Sequence, residues 1–428
     1  PTATPVPPTA TINAEATATP LSLGNAQDLP ALTPGVLGAS AELPVSGGPR
    51  AGIGAAAATL GAPSWVKAGS RIVYYQAAAS VAQSNFAWVE DPEGPWEDPK
   101  TGKKYRRTDE SGENMGDGGG DGLSVIDVLA IEGSNVVLAW NLYGIDHISN
   151  QYVPGGGGGA KVNGALIDGL WTNPTQFEII EEAAQDNILV LRGKYEMGGV
   201  KYDAISFANT TPDAYSSYTY DLKTGLLLAA TSNTTGPPSS GGTRGNAYLT
   251  VTRFAGTRLR SVPGLTGKNP DWVARTTKMQ YVGQYNFTNP MDPSSASYTF
   301  PLNNVVALTK GGKNWSSFSN VITVQAQGLQ PIKGNGITGS AGFYWIDPAA
   351  LKSLKKGQQL DKDPVTGEIM AVKSVGTQGG TKIVVVTDQM PGFATEVTYD
   401  QTTGALLGYV SNIAMSGITV QAQLKQRP

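Results

Sequence analysis

The sequence predicts a mainly β protein: two tandem homologous antiparallel β domains, each with a short helix, behind an extended Pro/Thr-rich N-terminal arm. Three observations predict this fold class: an internal duplication, strand-like alternation of apolar and polar residues, and a first segment of separate composition. The 428 residues are enough for two domains with substantial cores. The 54 glycines and a charged fraction of 15% indicate a β-rich chain with many turns.

The duplication consists of three pairs of matching segments that occur in the same order in both halves. The pairs are SWVKAGSRIVYYQ (64–76) with DWVARTTKMQYVG (271–283), GLWTNP (169–174) with FYWIDP (343–348), and TYDLKTGLLLAATSN (219–233) with TYDQTTGALLGYVSN (398–412). They align Trp65 with Trp272 and Trp171 with Trp345. Because three anchors keep one order, we predict two copies of one antiparallel fold of the β-sandwich class.

These anchors set the predicted boundaries along the chain. We expect an arm at 1–61, β domain 1 at 62–252, a linker at 253–267 and β domain 2 at 268–428. The first two anchors are spaced more widely in the first copy than in the second. Domain 1 therefore carries extra residues, which we place in an acidic insertion near 89–122.

The predicted strands are short alternating or apolar runs, and the predicted helices are brief. SRIVYYQ (70–76) alternates, and SVIDVLAIEGSNVVLAWNLYGI (124–145) contains two apolar runs around EGSN, which predicts a hairpin. Helical patterns follow the second Trp anchor of each copy, at 174–184 and 347–356. Each begins beside a Pro that follows Asn or Asp, which is a typical helix start.

The pattern Asp-x-x-Thr-Gly occurs four times, and we interpret it as architecture rather than chemistry. The copies are DPKTG (98–102), DLKTG (221–225), DPVTG (363–367) and DQTTG (400–404). An Asp at the start of a turn accepts hydrogen bonds from the backbone beyond it, and the Gly supplies a positive φ. We therefore predict four tight reversals of the chain.

The arm differs from the rest of the chain in composition. PTATPVPP opens it without a Met, which we interpret as the mature end left after signal-peptide removal, and we expect an extracellular or cell-surface location. Its prolines favour extended structure without a core. TINAEATATPLSL (11–23) is the predicted donor strand for a neighbouring subunit, with Ile12, Leu21 and Leu23 as interface anchors.

Composition excludes several classes of function. The net charge of −3 gives no electrostatic basis for binding nucleic acid. The absence of Cys excludes thiol catalysis and zinc–thiolate sites. No apolar run has the ~20 residues of a transmembrane helix. His147, the single histidine, has no nucleophile motif around it, so we predict no catalytic residues and no enzyme.

Acidic residues supply two remaining candidates for chemistry. A carboxylate hydrolase is the less favoured one, and it would use the acidic cluster beside Trp88 and Trp96: Glu90, Asp91, Glu93, Glu97 and Asp98. Calcium is the one candidate cofactor, since Ca²⁺ prefers oxygen ligands on flexible loops. The favoured ligands are Glu113, Asp117 and Asp121, and a weaker alternative set is Asp361, Asp363 and Glu368.

The glycine-rich segment VPGGGGGAKVNG (153–164) offers a superficial likeness to a phosphate-binding loop. It lacks the Gly-Lys-Ser/Thr ending and the strand-to-helix context that phosphate binding needs. We predict a flexible crossing between two elements.

The arm PTATPVPPTAT (1–11) and the two T-Y-D-x-x-T-G-x-L-L hairpins resemble secreted bacterial surface proteins of the cell-wall, surface-layer or extracellular-filament kind. The closing hairpin is also similar to one in half-barrel envelope proteins that carry lipid or lipoprotein. The first resemblance implies a structural subunit that self-assembles into a filament or surface layer, with homo-oligomeric partners. The alternative is a glycan- or lipid-binding module tethered at the cell surface by a flexible stalk.

Overall fold

The structure is a computed structural model of the whole chain, in which a defined set of residues is described. These are residues 61–81, 88–107, 120–146, 149–167, 170–184, 188–210, 214–235, 247–288, 297–309, 311–325, 330–340, 342–415 and 418–426. Residues 1–60 of the predicted arm lie outside this set, and so do Glu113, Asp117 and His147. The arm anchors Ile12, Leu21 and Leu23 therefore stay predictions.

The described residues before position 260 form one large sheet and one small sheet. Their strands are β1 (Ser70–Val81), β2 (Trp88–Glu90), β3 (Trp96–Glu97), β4 (Lys104–Arg107), β5 (Gly120–Glu132), β6 (Asn135–Asp146), β7 (Gln151–Asn163), β8 (Leu166–Ile167), β9 (Trp171–Thr172), β10 (Ile188–Met197), β11 (Val200–Thr210), β12 (Ala214–Asp221), β13 (Leu227–Thr235) and β14 (Ala247–Leu259). A 3₁₀ turn at Pro174–Gln176 leads into helix α1 (Phe177–Ala183).

The described residues after position 277 form a second large sheet. Its strands are β15 (Lys278–Thr288), β16 (Tyr298–Thr309), β17 (Trp315–Val324), β18 (Ile332–Gly339), β19 (Gln359–Lys362), β20 (Ile369–Gln378), β21 (Thr381–Met390), β22 (Phe393–Asp400), β23 (Leu406–Met415) and β24 (Ile418–Gln426). Helix α2 (Pro348–Leu351) lies between β18 and β19 and is shorter than the predicted 347–356. A turn follows it and ends at Gly357, where φ is +80°.

The two large sheets share one strand order, in which β12-β13-β14-β1-β5-β6-β7 of the first corresponds to β22-β23-β24-β15-β16-β17-β18 of the second. The first, with 12 strands, runs β2-β4-β3-β10-β11-β12-β13-β14-β1-β5-β6-β7, and the second, with 10 strands, runs β19-β20-β21-β22-β23-β24-β15-β16-β17-β18. In both sheets the last strand of the copy pairs antiparallel with the first. The predicted fold class is confirmed: the protein is mainly β, with two antiparallel sheets in a β-sandwich-like arrangement and two short helices among the described residues.

The three duplicated segments contact one another, which explains why they recur together. Trp171 is fully buried, and the Trp65 ring packs edge-on against it with centroids 5.8 Å apart. The Trp65 indole N–H donates to the carbonyl of Thr224, in the closing turn, at 2.8 Å. The backbone of Trp171 also forms an isolated antiparallel β-bridge with Leu226 in that same segment. Each copy thus fixes its three anchors as a single packing unit inside its sheet.

The second copy repeats this unit with its own residues. Trp345 is fully buried, and Trp272 packs edge-on against it at 6.0 Å. The Trp272 indole N–H donates to the carbonyl of Thr403 at 2.8 Å, and Trp345 bridges to Ala405. Because side chains from most strands of each sheet meet in one cluster with this unit, both sheets must curve around their cores.

The four Asp-x-x-Thr-Gly segments are turns, as predicted. In each, the Gly N–H donates to the Asp carbonyl at 2.7 to 2.9 Å, and the Asp carboxylate accepts from backbone N–H groups further along. The glycines have φ between +69° and +75°, a backbone conformation that is strained for a residue with a side chain. They are Gly102, Gly225, Gly367 and Gly404.

The prediction of a flexible crossing at 153–164 is wrong. These residues form most of β7, which pairs with β6 along its whole length and ends the first sheet. Beyond β7 lies β18 of the second sheet, and a Cβ on Gly159 would stand 2.7 Å from the backbone nitrogen of Ile337. The glycines allow two sheets to approach backbone to backbone, a role that their local sequence does not reveal.

The acidic insertion adds three short strands to the edge of the first sheet. β3 pairs with β10, and β4 and β2 follow outward. The rings of Trp88 and Trp96 pack edge-on at 5.2 Å, and Trp96 is buried against the sheet. At the other end of this half, β14 continues through Leu259, so regular strand structure extends into the predicted linker at 253–267.

Candidate cavity at the junction of the two sheets

A network of charged side chains joins the two halves of the protein. The first half contributes three arginines and one carboxylate, and the second half contributes three carboxylates. The members are Arg71, Asp127, Arg258, Arg260, Asp361, Asp363 and Glu368. We call this set the junction network. Its four carboxylates and Arg71 are each at most 8% exposed, so water screens these charges little.

Arg71 lies at the centre of the junction network. Its Nε and Nη2 donate to the two carboxylate oxygens of Asp127 at 2.7 and 2.9 Å, a two-point pair within the first sheet. Its Nη1 donates across the junction to Asp363 at 3.2 Å and to Glu368. One guanidinium therefore contacts carboxylates of both halves.

The segment that leaves β14 supplies the other two arginines. Arg258 donates from Nη1 and Nη2 to the two oxygens of Asp361 at 2.8 Å each. Arg260 donates to Asp127 at 2.9 Å and to Asp361 at 3.3 Å. The Ser261 backbone N–H also donates to Asp361, at 3.2 Å. The predicted linker thus carries part of the interface.

Strand register places the first-half members side by side. On β1, Ile72 and Tyr74 face the core, so Arg71 faces the outer surface of the sheet. Arg71 pairs directly with Asp127 on β5 and with Arg258 on β14. Directly opposed residues on neighbouring strands have side chains within contact distance. Three charges therefore lie in one row on an outer face that the second half covers.

The second-half members come from the β19–β20 hairpin. Asp361 is in β19, Asp363 opens the DPVTG turn, and Glu368 immediately precedes β20. These are the carboxylates of the weaker calcium prediction, and the structure does bring them together. Their partners are arginines, however. Among the described residues, no group of three or more His, Asp or Glu side chains is arranged to hold a metal ion.

The junction network lowers the pKa of three carboxyl groups, those of Asp127, Asp361 and Asp363. Burial alone would raise the pKa of Asp127, but the charges of Arg260 and Arg71 outweigh it and lower the pKa. The pKa of Asp361 falls well below its ordinary value in the same way, through hydrogen bonds from Arg258 and the charge of Arg260. The pKa of Asp363 is also lowered against the effect of burial, by a backbone hydrogen bond from Val365 and by its arginine neighbours.

Beside the junction network lies a cavity of about 220 Å³. The outer face of the first sheet forms one side of it, and the inner face of the second sheet forms the other. One wall is aromatic, and we call it the aromatic wall: Tyr143, Phe318, Phe343, Tyr344 and Tyr399. Charged residues line the part of the cavity that adjoins Tyr143 and Tyr399, and we call it the charged end: Arg71, Asp127, Arg260, Glu368 and Asp388.

Asp388 is the unusual member of the charged end. It lies on β21 in the same row as Val384 and Val386, which are core residues of the second sheet. Burial raises the pKa of Asp388 well above its ordinary value, and the nearby charge of Glu368 raises it further. Its Oδ1 atom has no hydrogen-bond partner among the described residues. A buried acceptor in this state is costly unless something donates to it.

Other predicted site residues are separated from this cavity. Asp121, the described member of the favoured calcium set, lies on β5 and accepts a hydrogen bond from the Tyr75 hydroxyl at 2.5 Å. Burial and this hydrogen bond raise the pKa of Tyr75 to about 12. With Glu113 and Asp117 outside the described residues, calcium binding there stays a prediction.

Three members of the acidic cluster in the insertion have local partners. Glu90 pairs with Lys103 at 2.8 Å, and Asp91 pairs with Arg106 at 3.0 Å, both at the surface. Asp98 holds its own turn together. These contacts give Glu90, Asp91 and Asp98 a structural role, and the absence of a hydrolase site stays a prediction.

Sequence reasoning missed Arg71 and Asp388 as functional candidates. The available signal was a charge inside an otherwise apolar alternating strand, as in SRIVYYQ and KIVVVTD. Such a charge indicates either an exposed face or a covered one, and a single strand cannot distinguish them. Comparison with known family models and with curated protein sequences finds no match to this chain.

Proposed function

We propose that this protein is an extracellular structural subunit that self-assembles into a filament or surface layer, with its arm docked on a neighbouring subunit. The observation that carries the proposal is the junction network, whose ion pairs join the two halves of the chain. A buried pair is costly to break, because each partner left behind is an uncompensated charge. Rigid tandem units transmit their orientation to the next copy, as an assembly requires.

Apolar contacts reinforce the junction on both sides of the network. Trp315 and Ile337 of the second half pack against Ala130 and Val137 of the first. The Trp315 indole N–H also donates to Glu132 at 2.6 Å across the junction. Relative motion of the two halves would break these contacts together with the ion pairs.

The edge of β20 is the docking surface that best fits the arm. β19 pairs with β20 only at Ile369, Met370 and Ala371. Further along, no described strand pairs with the outer side of residues 374–378, where Val375 is 38% exposed. An unpaired edge of this kind accepts a strand from another chain. The other long outer strands, β7 and β18, lie against each other.

The alternative function is a tethered glycan- or lipid-binding module, which rests on the abundance of Trp and Tyr and on the half-barrel similarity. The four anchor tryptophans speak against it, because Trp171 and Trp345 are fully buried while Trp65 and Trp272 pack against them. None of the helices in the described part of the chain has the length and apolar character to cross a bilayer.

The first test removes the arm. Deletion of residues 1–45 is expected to leave a folded monomer that no longer polymerises, as measured by light scattering after gel filtration and by negative-stain microscopy. The full-length chain under the same conditions is the reference. Polymers that form undiminished without the arm would contradict the proposal.

The second test alters the docking edge while keeping the arm. Val375→Lys places a charge on the open edge of β20 and is expected to weaken assembly without unfolding the protein. Val282→Lys is the matched control, because Val282 is equally exposed at 38% but lies on β15 in the middle of the second sheet. If both variants assemble like the unmodified chain, the arm does not use this edge.

A further inference from the structure

The cavity at the junction has the setting of a ligand site. It lies between two domains, where small-molecule sites are common, and its walls are mostly apolar with a few polar groups at one end. An unfilled cavity lowers stability in proportion to its volume. Its ~220 Å³ is below the ~300–1,000 Å³ of typical ligand pockets, so its occupant is small.

The rings of the aromatic wall pack against one another along the cavity. Phe318 and Phe343 each pack edge-on against Tyr344, with centroids 5.2 Å apart. The Tyr399 hydroxyl donates to the carbonyls of Gly342 and Phe343 at 3.2 Å each, so its polar group is already used. Such a wall accepts an apolar body and also attracts a cation through the negative faces of the rings.

The charged end leaves one acceptor unused. The groups that face Asp388 are Glu368, Arg71, Arg260, Tyr143, Tyr399 and Thr395. The two arginines donate to Asp127, Asp361, Asp363 and Glu368 instead. Asp388 Oδ1 therefore lacks a donor, in a region where an anion would meet two carboxyl groups and arginines that are already paired.

We infer that this cavity binds a small organic cation, whose ammonium group donates to Asp388 Oδ1 and whose apolar body packs on the aromatic wall. A primary ammonium group supplies N–H donors for Asp388 Oδ1 and a positive charge that favours the ionised carboxylate. This site is independent of arm docking, because β20 residues 374–378 and the cavity are different surfaces of the second sheet. Either proposal can fail without the other.

Proton release accompanies this binding. Burial, and then Glu368, raise the pKa of Asp388, so ionisation of this carboxyl is disfavoured in the free protein. An ammonium group beside it favours the ionised carboxylate and lowers that pKa again. Amine binding is therefore expected to release protons, and affinity to rise with pH as long as the amine stays protonated.

Three probes of one shape test the charge of the ligand on the full-length protein. Benzylamine, benzyl alcohol and benzoate share a body and differ in carrying a cation, a neutral donor and an anion. Isothermal titration calorimetry at pH 7 is expected to show saturable binding of benzylamine, at least tenfold weaker binding of the alcohol, and none of benzoate. Equal binding of the three, or no binding of benzylamine at 10 mM, would overturn the inference.

Variants test the position of the site. Asp388→Asn keeps the shape but removes the charge, and it is expected to weaken benzylamine binding at least tenfold and to abolish proton release, measured as the dependence of binding heat on buffer ionisation. Glu396→Gln on the neighbouring β22 is the control, since Glu396 pairs with Lys373 at the surface and is expected to change neither quantity.

A second variant keeps the test decisive if Asp388→Asn does not fold. Ala139→Leu adds volume from the first-sheet side of the cavity and leaves every charge in place. It is expected to weaken benzylamine binding at least tenfold while circular dichroism stays unchanged. Unaltered binding in a folded Ala139→Leu variant would place the amine elsewhere and contradict the inference.

Discussion

Arg258 and Asp361 form a two-point ion pair across the junction: Nη1 donates to Oδ1 and Nη2 donates to Oδ2, each at 2.8 Å. The two residues are 103 positions apart in the chain, and each belongs to a different sheet. Arg258 lies near the end of β14 and within the predicted linker at 253–267, so the segment that connects the two halves also forms an ion pair between them. Because this ion pair joins the two halves, we expect the junction to be sensitive to single amino-acid substitutions.

Removal of Arg71 is expected to destabilise the protein strongly. Arg71→Met deletes the shared partner of Asp127, Asp363 and Glu368 and leaves these buried carboxylates undercompensated. Breaking a buried ion pair from one side costs about 3–5 kcal/mol of unfolding free energy. Urea denaturation measures the loss. Lys103→Met, which breaks an exposed pair with Glu90, is the control and is expected to leave stability unchanged within error.

Acid is expected to weaken the junction, because Asp127, Asp361 and Asp363 have lowered pKa values in the folded protein. Asp127, Asp361 and Asp363 ionise in the unfolded chain with a pKa of about 3.9, and more readily when folded. As the pH falls below about 4, the unfolded chain takes up protons first, so stability present at neutral pH is lost. Asp388 acts in the opposite direction, because burial raises its pKa in the folded protein and its contribution to stability therefore grows as the pH falls.

Thermal unfolding midpoints between pH 2.5 and 7 measure this effect. Asp361→Asn is expected to show a shallower acid loss than the unmodified protein, at the cost of lower stability at pH 7. Asp203→Asn is the control, because Asp203 is an exposed residue paired only with Lys194. An acid profile that is the same in Asp361→Asn would contradict the role of the junction.

Two of the Asp-x-x-Thr-Gly turns allow a matched comparison. Gly102 and Gly225 have φ of +69° and +72°, so Ala costs about 1–2 kcal/mol of backbone strain at either. A Cβ on Gly102 meets nothing within 4 Å, whereas one on Gly225 would stand 1.6 Å from the carbonyl oxygen of Thr172. Gly225→Ala is therefore expected to cost at least about 2 kcal/mol more than Gly102→Ala, through overpacking. Equal losses in urea denaturation would show that the turn alone explains the glycine.

The glycines of β7 provide the corresponding test at the junction. A Cβ on Gly159 would stand 2.7 Å from both the backbone nitrogen and the Cβ of Ile337, but one on Gly155 makes ordinary contacts at 3.6 Å or more. Gly159→Ala is expected to lower the unfolding free energy by about 1–3 kcal/mol and to enlarge the radius of gyration in X-ray scattering. Gly155→Ala is expected to leave both nearly unchanged. The reverse order of effects would mean that β7 and β18 are not in close contact.

The candidate site was hidden from sequence reasoning for a physical reason. Asp361, Asp363 and Glu368 attracted attention as a cluster of oxygen ligands, and the structure does cluster them. The sequence gives no sign that their partners are arginines as far away as Arg71, 297 positions from Glu368. Charge pairing across a domain junction depends on how two sheets pack, and strand periodicity describes only which face of its own sheet a residue occupies.

The sequence by itself determined the β character, the duplication and the four turns, because alternation, repeated anchors and Gly at positive φ are local requirements that leave a local signature. Tertiary structure alone decided that the glycine-rich segment is a close-packed strand, that the anchors Trp65 and Trp171 meet the closing turn, and that Asp388 faces a cavity. These properties depend on distances between segments that are far apart in the sequence, and no local pattern records such distances.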